Sequence, residues 1–279
     1  MRPVEHFHAL ALIPPMPAGA SDSFRAPALP YPRPTAWVPW VTAFLDLLFP
    51  PLCPLCSRRL DEGRRDPLCG GCWDGLERLA PPFCVICGLP FGSFGAGDQE
   101  SHRCEACRRQ APPFIYARAV TLYGDSVRSA IHALKFRGKH SLSRPLGDLL
   151  ALEGARLIPG ERVDCLIPVP LHPRREAQRG FNQALLLARQ VGRRWRVPVA
   201  EGALRRIVST RSQTELSGAE RRRNVTGAFS LRRPHAVTGR HVLLIDDIFT
   251  TGATASECAR ILLAGGAASV GVLTVARVP

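Results

Sequence analysis

The stretch HVLLIDDIFTTGATASECARIL, residues 241–262, decides the fold. An uninterrupted apolar run from Val242 to Ile245 ends in Asp246 and Asp247, and a turn of small residues then leads into an apolar-periodic segment. A short, wholly apolar run is typical of a strand buried on both faces of a parallel sheet, and the periodic segment predicts a helix. The stretch therefore predicts a strand–turn–helix unit of an α/β domain, with two acids at the end of its strand.

The turn after the acids has the composition of an anion site. It consists of Thr250, Thr251, Gly252, Ala253 and Thr254. Free backbone N–H groups at a helix N-terminus favour a phosphate, and the threonine hydroxyls add further donors. Because the adjacent carboxylates would repel that phosphate, we expect them to accept hydrogen bonds from hydroxyl groups or to assist a hydrated metal. A phosphorylated sugar diol, bound at the carboxyl end of the strand, satisfies both requirements.

Two other interpretations of these residues stay open from the sequence. The acid pair could cap a helix without any ligand, or it could form a phospho-acceptor pocket like that of response regulators, where an acidic pair also ends a strand. Such a pocket usually draws its acids from several strands and does not need a neighbouring threonine-rich turn. The turn therefore favours the sugar-phosphate interpretation.

From Phe114 onward the chain alternates between strand-like and helix-like segments. Further predicted strands are FIYARAVTLY (114–123), VDCLIPV (163–169) and ASVGVLTVARV (268–278). Further predicted helices are SVRSAIHALKF (126–136), SRPLGDLLALEGARL (143–157), with Ser143 as its N-cap, and GFNQALLLARQVGRRW (180–195). This alternation predicts a doubly wound α/β domain with a mostly parallel sheet over residues 113–279.

Eight of the ten cysteines form four C-x-x-C pairs. The pairs are Cys53/Cys56, Cys69/Cys72, Cys84/Cys87 and Cys104/Cys107. A C-x-x-C turn directs two thiolates at one tetrahedral metal, and two such turns complete a closed four-sulfur site. We therefore predict two structural Zn²⁺ ions in a small Cys-rich zinc-ribbon domain, residues 41–112, with the first pair joined to the second and the third to the fourth.

Other uses of these cysteines are weighed against zinc. Iron–sulfur ligation stays open, because it uses the same thiolates. Disulfides are disfavoured by the cytoplasmic location inferred below, and a redox dithiol would be a single pair at a strand–helix junction. The remaining Cys165 and Cys258 fall in a predicted strand and helix and are expected to be buried free thiols.

The N-terminal part of the chain and the overall composition bear on location and partners. Residues 1–40 are rich in proline and alanine and predict a disordered tail, followed by a short amphipathic helix. The apolar runs fall short of the about 20 residues that span a bilayer, and the start does not resemble a signal peptide, so we expect a cytoplasmic protein. A net charge of +14 favours phosphorylated or polyanionic partners, although solubility would explain it equally well.

The stretch LLIDDIFTTGAT resembles the phosphoribosyl-diphosphate (PRPP) binding loop of type I phosphoribosyltransferases. Together with HALKFRG, PVPLHPRR, RGFNQA and QTELSGAERRRNVTGAF, behind a double zinc ribbon, it makes residues 42–279 resemble the ComF family of competence proteins. The resemblance implies a type I phosphoribosyltransferase-like domain that binds PRPP with Mg²⁺.

The resemblance also implies roles for particular residues. Asp246 and Asp247 would bind the ribose hydroxyls and are the catalytic candidates. The 5-phosphate would lie in the turn formed by Thr250, Thr251, Gly252, Ala253 and Thr254. The pyrophosphate loop would contain Val169, Pro170, Leu171, His172, Arg174 and Arg175. The flexible hood over the site would contain Gln213, Thr214, Arg221, Arg222 and Asn224.

Several functions are compatible with this resemblance. It implies a role in DNA uptake for natural transformation, with PRPP, single-stranded DNA and DNA-translocation proteins as expected partners; a dimer is compatible with the sequence. The PRPP domain could transfer phosphoribose during DNA uptake, or it could act as a nucleobase phosphoribosyltransferase of nucleotide salvage. Alternatively, it could be a non-catalytic switch that PRPP gates and that binds single-stranded DNA. Candidate DNA contacts in the Cys-rich region are Arg58, Arg59, Arg108, Arg109, Trp73, Phe83 and Phe91.

Overall fold

The computed structural model describes residues 50–60, 67–91, 102–158, 160, 162–208 and 225–279. The predicted N-terminal tail and the amphipathic helix that follows it lie outside these residues. So do the five predicted hood residues, Gln213, Thr214, Arg221, Arg222 and Asn224.

The strands form one parallel sheet and one small antiparallel pair. The strands are β1 (Tyr116–Leu122), β2 (Cys165–Pro168), β3 (Leu204–Arg206), β4 (Phe229–Leu231), β5 (His241–Phe249) and β6 (Ser269–Arg277). Four of them form a parallel sheet in the order β1-β6-β5-β2, while β3 and β4 pair antiparallel. The predicted parallel sheet is therefore present, and its strand order places β5 at the centre with β2 beside it.

Helices flank both faces of this sheet. The helices are α1 (Gly70–Asp74), α2 (Glu105–Arg109), α3 (Asp125–Phe136), α4 (Ser143–Leu157), α5 (Pro173–Arg179), α6 (Gln183–Trp195) and α7 (Ala253–Ala264), with 3₁₀ turns at His140–Leu142 and Pro234–Ala236. Along β5, Leu243 and Ile245 belong to the core under α3, α4 and α6, whereas Val242 and Leu244 belong to the core under α7. The alternation buries both faces, which confirms the doubly wound architecture and explains the unbroken apolar run.

Three local expectations differ from the structure. Ser143 is not an N-cap, because the preceding 3₁₀ turn runs directly into α4 and its Oγ donates to the carbonyl oxygen of His140 at 2.7 Å. Arg174 and Arg175, which the resemblance assigns to the pyrophosphate loop, lie on the short helix α5. The strand β5 does not end at the acids, because β6 pairs with it as far as Phe249.

The Cys-rich region is joined to the edge of the sheet at β1. The backbone N–H of Leu79 donates to Val120 at 3.1 Å, and that of Leu122 donates to Glu77 at 3.0 Å. The N–H of Ala117 also donates to the carbonyl of Ile86. These bonds cover an edge strand that would otherwise offer unpaired backbone groups to other chains.

No helix among the residues that the structure describes is long and apolar enough to cross a membrane.

The close packing of α6 gives a test of the fold. A Cβ at Gly192 would lie 2.7 Å from the backbone oxygen of Val197 and 2.8 Å from Val199 Cγ2. Although alanine normally stabilises a helix interior relative to glycine, Gly192→Ala should lower the free energy of unfolding by about 1–3 kcal/mol. Denaturant unfolding measures this, with Gly160→Ala as control, since a Cβ there meets nothing within 4 Å. Equal stabilities of the two variants would contradict this packing.

Candidate functional site

The two adjacent acids of β5 have different surroundings. Asp247 is 3% exposed, and its Oδ2 forms an ion pair with Lys135 Nζ, at the end of α3. Its Oδ1 accepts a 3.0 Å hydrogen bond from Gln183 Nε2, at the start of α6. Burial favours the neutral acid, but the charge of Lys135 and these hydrogen bonds hold the pKa of Asp247 below its usual range. Asp247 is therefore a charged, fixed acceptor.

Asp246 has the opposite protonation tendency. Burial and the charge of Asp247 raise the pKa of Asp246 well above its usual range, with Lys135 opposing the shift. One of its oxygens accepts a 2.9 Å hydrogen bond from the backbone N–H of Asp247. This shift favours the neutral form of Asp246, which is half-buried. In that form its carboxyl group can donate a hydrogen bond to one sugar hydroxyl while Asp247 accepts one from another.

The turn after β5 requires glycine at one position. Gly252 has φ of 75°, and a Cβ there would lie 2.6 Å from the ring of Phe249. The helix α7 begins at the next residue, Ala253, so its first N–H groups lie beside the carboxyl end of β5. Thr250 and Thr254 are half-buried and Thr251 is exposed. The five predicted phosphate-binding residues thus form one turn at a helix N-terminus.

The predicted pyrophosphate loop lies against β5. The N–H of Val169 donates to the carbonyl of Ile245 at 2.9 Å, and Asn182 Nδ2 donates to the carbonyl of Val169 at 3.1 Å. Pro170 and Leu171 follow, half-buried. The first residue of the loop, Val169, is therefore bonded to Ile245, the residue that precedes Asp246. At this place the carboxyl ends of the neighbouring strands β2 and β5 form a crevice.

His172 begins α5 and lies among arginines. Its Nδ1 accepts a 3.3 Å hydrogen bond from the backbone N–H of Arg174. Desolvation, and then the positive charges of neighbouring arginines, lower the pKa of His172. These neighbours are Arg174, Arg206, Arg175 and Arg205. Four guanidinium groups thus contribute to a positive field at this loop, which suits a diphosphate.

Sequence reasoning missed several polar residues of the site. Lys135 lies in the segment HALKFRG and Gln183 in RGFNQA, but neither segment alone assigns its residue to the acid pair. Arg206 is 7% exposed on β3. Burial and the charge of Arg175 lower its pKa, and Asp246 opposes this shift. No sequence signal marks Arg206, because a three-residue strand has no recognisable period.

The eight paired cysteines form two clusters in sequential order. One contains Cys53, Cys56, Cys69 and Cys72, and the other contains Cys84, Cys87, Cys104 and Cys107. The Sγ atoms of Cys53 and Cys72 lie 3.7 Å apart, and those of Cys87 and Cys104 lie 3.5 Å apart. A tetrahedron with Zn–S bonds of about 2.3 Å has S–S edges of about 3.8 Å. The donor sets therefore fit a tetrahedral ion such as Zn²⁺. The predicted free thiols, Cys165 and Cys258, are also confirmed as buried and unpaired with another cysteine.

One buried arginine contacts both the second cluster and the turn after β5. Arg277 is 6% exposed, and its Nη2 lies 3.8 Å from Cys87 Sγ. Its Nη1 donates to the carbonyl of Thr250 at 2.8 Å, and its guanidinium carbon lies 4.7 Å from the ring centre of Phe249. Burial lowers the pKa of Arg277, while the thiol groups of the cluster oppose that shift. Metal-bound thiolates would compensate its charge.

Models of two known families match two separate regions of the chain. Residues 44–108 match the family model for a double zinc ribbon domain, and residues 177–279 match the model for a phosphoribosyl transferase domain.

Several relatives match most of the chain, across both regions. The chain is 37% identical over 235 residues to the DNA utilization protein YhgH of Escherichia coli O157:H7, covering 83% of this chain and 99% of the relative. It is 30% identical over 217 residues to competence protein F of Haemophilus influenzae, covering 76% and 91%. The chain belongs to the ComF family. This ComF-family protein is also 27% identical over 220 residues to competence protein ComFC of Bacillus subtilis, covering 76% and 85%.

The cluster geometry predicts the metal content of this ComF-family protein. Protein purified without added metal should contain about two equivalents of zinc by elemental analysis, because both four-sulfur sets are complete. Cys84→Ser should reduce this to about one equivalent, since the first cluster shares no ligand with the second. The matched variant Cys258→Ser, which removes a free thiol, should keep both. Absence of both zinc and iron from the wild type would contradict the assignment.

The acid pair predicts a pH-dependent stability effect. Lys135→Met should lower the free energy of unfolding by roughly 3–5 kcal/mol at pH 7, because it leaves the buried carboxylate of Asp247 uncompensated. The depressed pKa of Asp247 stabilises the wild type above the unfolded pKa of an aspartate, and this contribution is lost as the pH falls through the folded pKa. The difference in the free energy of unfolding between wild type and variant, measured by denaturant unfolding, should therefore become smaller as the pH is lowered.

The exposed pair Arg189–Glu201 provides a control for this experiment. Arg189→Met should change the free energy of unfolding by no more than about 1 kcal/mol. Equal effects of the two substitutions at pH 7 would contradict a buried ion pair at Asp247.

Proposed function

We propose that this ComF-family protein binds PRPP together with Mg²⁺ at the carboxyl end of β5. The observation that carries the proposal is the acid pair of β5, in which Lys135 and Gln183 hold Asp247 beside Asp246, directly before a turn that opens α7. Asp246 and Asp247 bind the ribose 2- and 3-hydroxyls, and the turn from Thr250 to Thr254 binds the 5-phosphate.

The pyrophosphate group of the ligand extends toward α5. Arg174 and Arg175 contact it, and Arg206 adds positive charge from β3. Bound Mg²⁺ would neutralise part of the charge of the pyrophosphate and would favour the ionised form of Asp246. The carboxylate oxygens of Asp246 and Asp247 would then be ligands of the type that Mg²⁺ prefers, either directly or through water.

A transfer reaction is compatible with this arrangement. A nitrogen nucleophile attacks the anomeric carbon, a C–N bond forms, and the C–O bond to pyrophosphate breaks with its electron pair leaving on pyrophosphate. The proton of the nitrogen passes to solvent or to one of the two aspartates. The protein would contribute positioning and electrostatic stabilisation of the leaving group.

A second candidate function is the handling of single-stranded DNA in the cytoplasm, with PRPP as a gating ligand that is not consumed. The relatives named for DNA utilization and competence favour it. Arg58, Arg59, Arg108 and Arg109 are exposed in the Cys-rich region. Trp73, Phe83 and Phe91 are half-buried there, which limits them as stacking surfaces. DNA-translocation proteins would be partners in this role.

Calorimetry with PRPP and Mg²⁺ tests the proposed pocket. Asp247→Asn should weaken binding by at least about tenfold, because a lost hydrogen bond to a charged group costs about 1.5–3 kcal/mol. Asp246→Asn should weaken it by about twofold or more, because a lost hydrogen bond between neutral groups costs about 0.5–1.5 kcal/mol. The control is Glu201→Gln, which neutralises the exposed carboxylate that pairs with Arg189. This variant should bind PRPP with the affinity of the wild type. Unchanged affinity in both aspartate variants would contradict the assignment.

Pyrophosphate release, assayed across the nucleobases, separates transfer from gating. Release with a base would support transfer, and tight binding without release with any base would contradict transfer to nucleobases. For the gating function, the affinity for single-stranded DNA should fall as salt rises, and a salt-independent affinity would count against phosphate contacts.

A further inference from the structure

The last residue of β6, Arg277, lies between the second cysteine cluster and the turn after β5. Its Nη2 donates toward Cys87 Sγ at 3.8 Å, and its Nη1 donates to the carbonyl of Thr250 at 2.8 Å. Its backbone is fixed on both sides. The carbonyl of Arg277 accepts a 2.8 Å hydrogen bond from the N–H of Tyr123, which follows β1, and Arg277 pairs with Phe249 of β5. The side chain therefore starts from a fixed position and has a different partner at each end.

The stability of the fold does not account for an arginine at this position. Arg277 is 6% exposed, and its Nε is buried without a hydrogen-bond partner among the residues that the structure describes. A buried N–H group that is left unpaired costs free energy. Well-packed apolar side chains often stabilise a core as well as a buried charge and its partner do. A role other than packing is therefore expected for Arg277.

An aromatic ring forms a second connection from Arg277 to the turn. The guanidinium carbon lies 4.7 Å from the ring centre of Phe249, and Phe114 meets the same ring edge-on, with 5.9 Å between the ring centres. A Cβ at Gly252 would lie 2.6 Å from the ring of Phe249, so this ring limits where the turn can lie. Arg277 thus contacts the turn directly, at the carbonyl of Thr250, and indirectly, through Phe249.

The two cysteine clusters differ in their relation to this turn. The cysteines of the second cluster share one core with Phe249 and Ala253, on either side of the turn. Cys53 and Cys69 of the first cluster lie in the other core, together with the buried side of α3. The second cluster is therefore the one expected to influence the turn.

The charge of a metal-bound second cluster suits the arginine. A metal binds thiolates rather than thiols, and four thiolates outweigh the two positive charges of a Zn²⁺ ion. The metal-bound cluster would therefore be negative and would compensate the buried guanidinium group of Arg277 at the end that faces Cys87. The other end of the group is then held at Thr250.

We propose that Arg277 couples metal binding at the second cluster to phosphate binding in the turn after β5. A cluster that holds its metal fixes Arg277, and Arg277 fixes the turn in the conformation that receives the 5-phosphate. Such a coupling is reciprocal, so a bound phosphate also strengthens the binding of the metal. The inference rests on the proposed function, because the turn is the proposed phosphate site. It adds Arg277 as a positioning residue and a dependence of ligand affinity on one of the two clusters.

A double-mutant cycle tests the coupling, with PRPP affinity measured by calorimetry on the full chain in the presence of Mg²⁺. Arg277→Met should weaken binding by about fivefold or more, the lower end of typical couplings between sites. Cys84→Ser removes a second-cluster ligand other than the one that accepts from Arg277, and it should weaken binding by a similar factor. The double variant should bind no more weakly than either single variant, because both substitutions interrupt the same connection. Losses that add in the double variant would contradict the proposal.

Two matched variants serve as controls for this cycle. Cys53→Ser removes the corresponding buried ligand of the first cluster and should weaken binding less than Cys84→Ser does. Arg118 is also 6% exposed, on the neighbouring strand β1, but it donates to the carbonyls of Ala117 and Leu157. Arg118→Met should keep the wild-type affinity, and thermal unfolding of each variant checks its folding. Equal weakening by Arg118→Met and Arg277→Met would overturn the proposal, because the loss of any buried arginine would then explain the effect.

The reverse effect is measured on the wild type and does not depend on the folding of a variant. The protein is titrated with a chelator that is selective for Zn²⁺ over Mg²⁺, and elemental analysis follows the bound zinc. PRPP with Mg²⁺ should raise the chelator concentration that removes the more sensitive zinc ion by about fivefold or more. It should not change the removal of the zinc ion of the first cluster, which Cys84→Ser identifies as the one that remains. Identical titrations with and without PRPP would show that the coupling does not exist.

The outcomes separate this inference from the proposed function. If PRPP bound equally well to the wild type, to Arg277→Met and to Cys84→Ser, the coupling would be wrong while the phosphate site stood. If PRPP did not bind to the wild type, the proposed function would be wrong and this inference would fall with it.

Discussion

Two adjacent carboxyl groups on a strand at the centre of a buried sheet cannot both be ionised without a nearby cation. Removing a carboxylate from water costs several kcal/mol even after the protein relaxes, and a second charge beside it adds repulsion. The chain meets this constraint by pairing Asp247 with Lys135, which lowers the pKa of Asp247, while burial and the charge of Asp247 raise the pKa of Asp246. Lys135 on α3 and Gln183 on α6 both reach Asp247 near the end of β5.

A second buried charge, that of Arg277, lies on the other side of the turn after β5. Arg277 extends from the end of β6 between Thr250 and Cys87, and its buried charge faces a cluster of four thiols. The Cys-rich region also covers the free edge of β1. The two halves of the chain are therefore joined by backbone hydrogen bonds and by a guanidinium group. These contacts tie the turn after β5 to the second cysteine cluster.

Features that depend on neighbouring residues were predictable from the sequence. The strand, the turn and the helix around Asp246, and the sequential pairing of the cysteines, follow from local spacing. The failures have local causes too: Ser143 has the residue type of an N-cap, but a 3₁₀ turn precedes it and leaves no extended cap position. Arg174 and Arg175 are helical because Pro173 begins a helix as readily as it continues a loop.

Contacts between distant segments were not predictable in the same way. Lys135 and Asp247 are 112 positions apart in the chain, and nothing in either neighbourhood identifies the partner. The same holds for Arg277 and Cys87, which are 190 positions apart. Such pairs are fixed by the strand order of the sheet, which single-sequence periodicity does not encode.

The most direct test of the account is a crystal structure of the protein with PRPP and Mg²⁺. The account predicts density for the ribose with its 2- and 3-hydroxyls within hydrogen-bonding distance of Asp246 and Asp247, and for the 5-phosphate in the turn from Thr250 to Thr254. A ligand bound elsewhere, or the acid pair left without contact to a sugar, would contradict it.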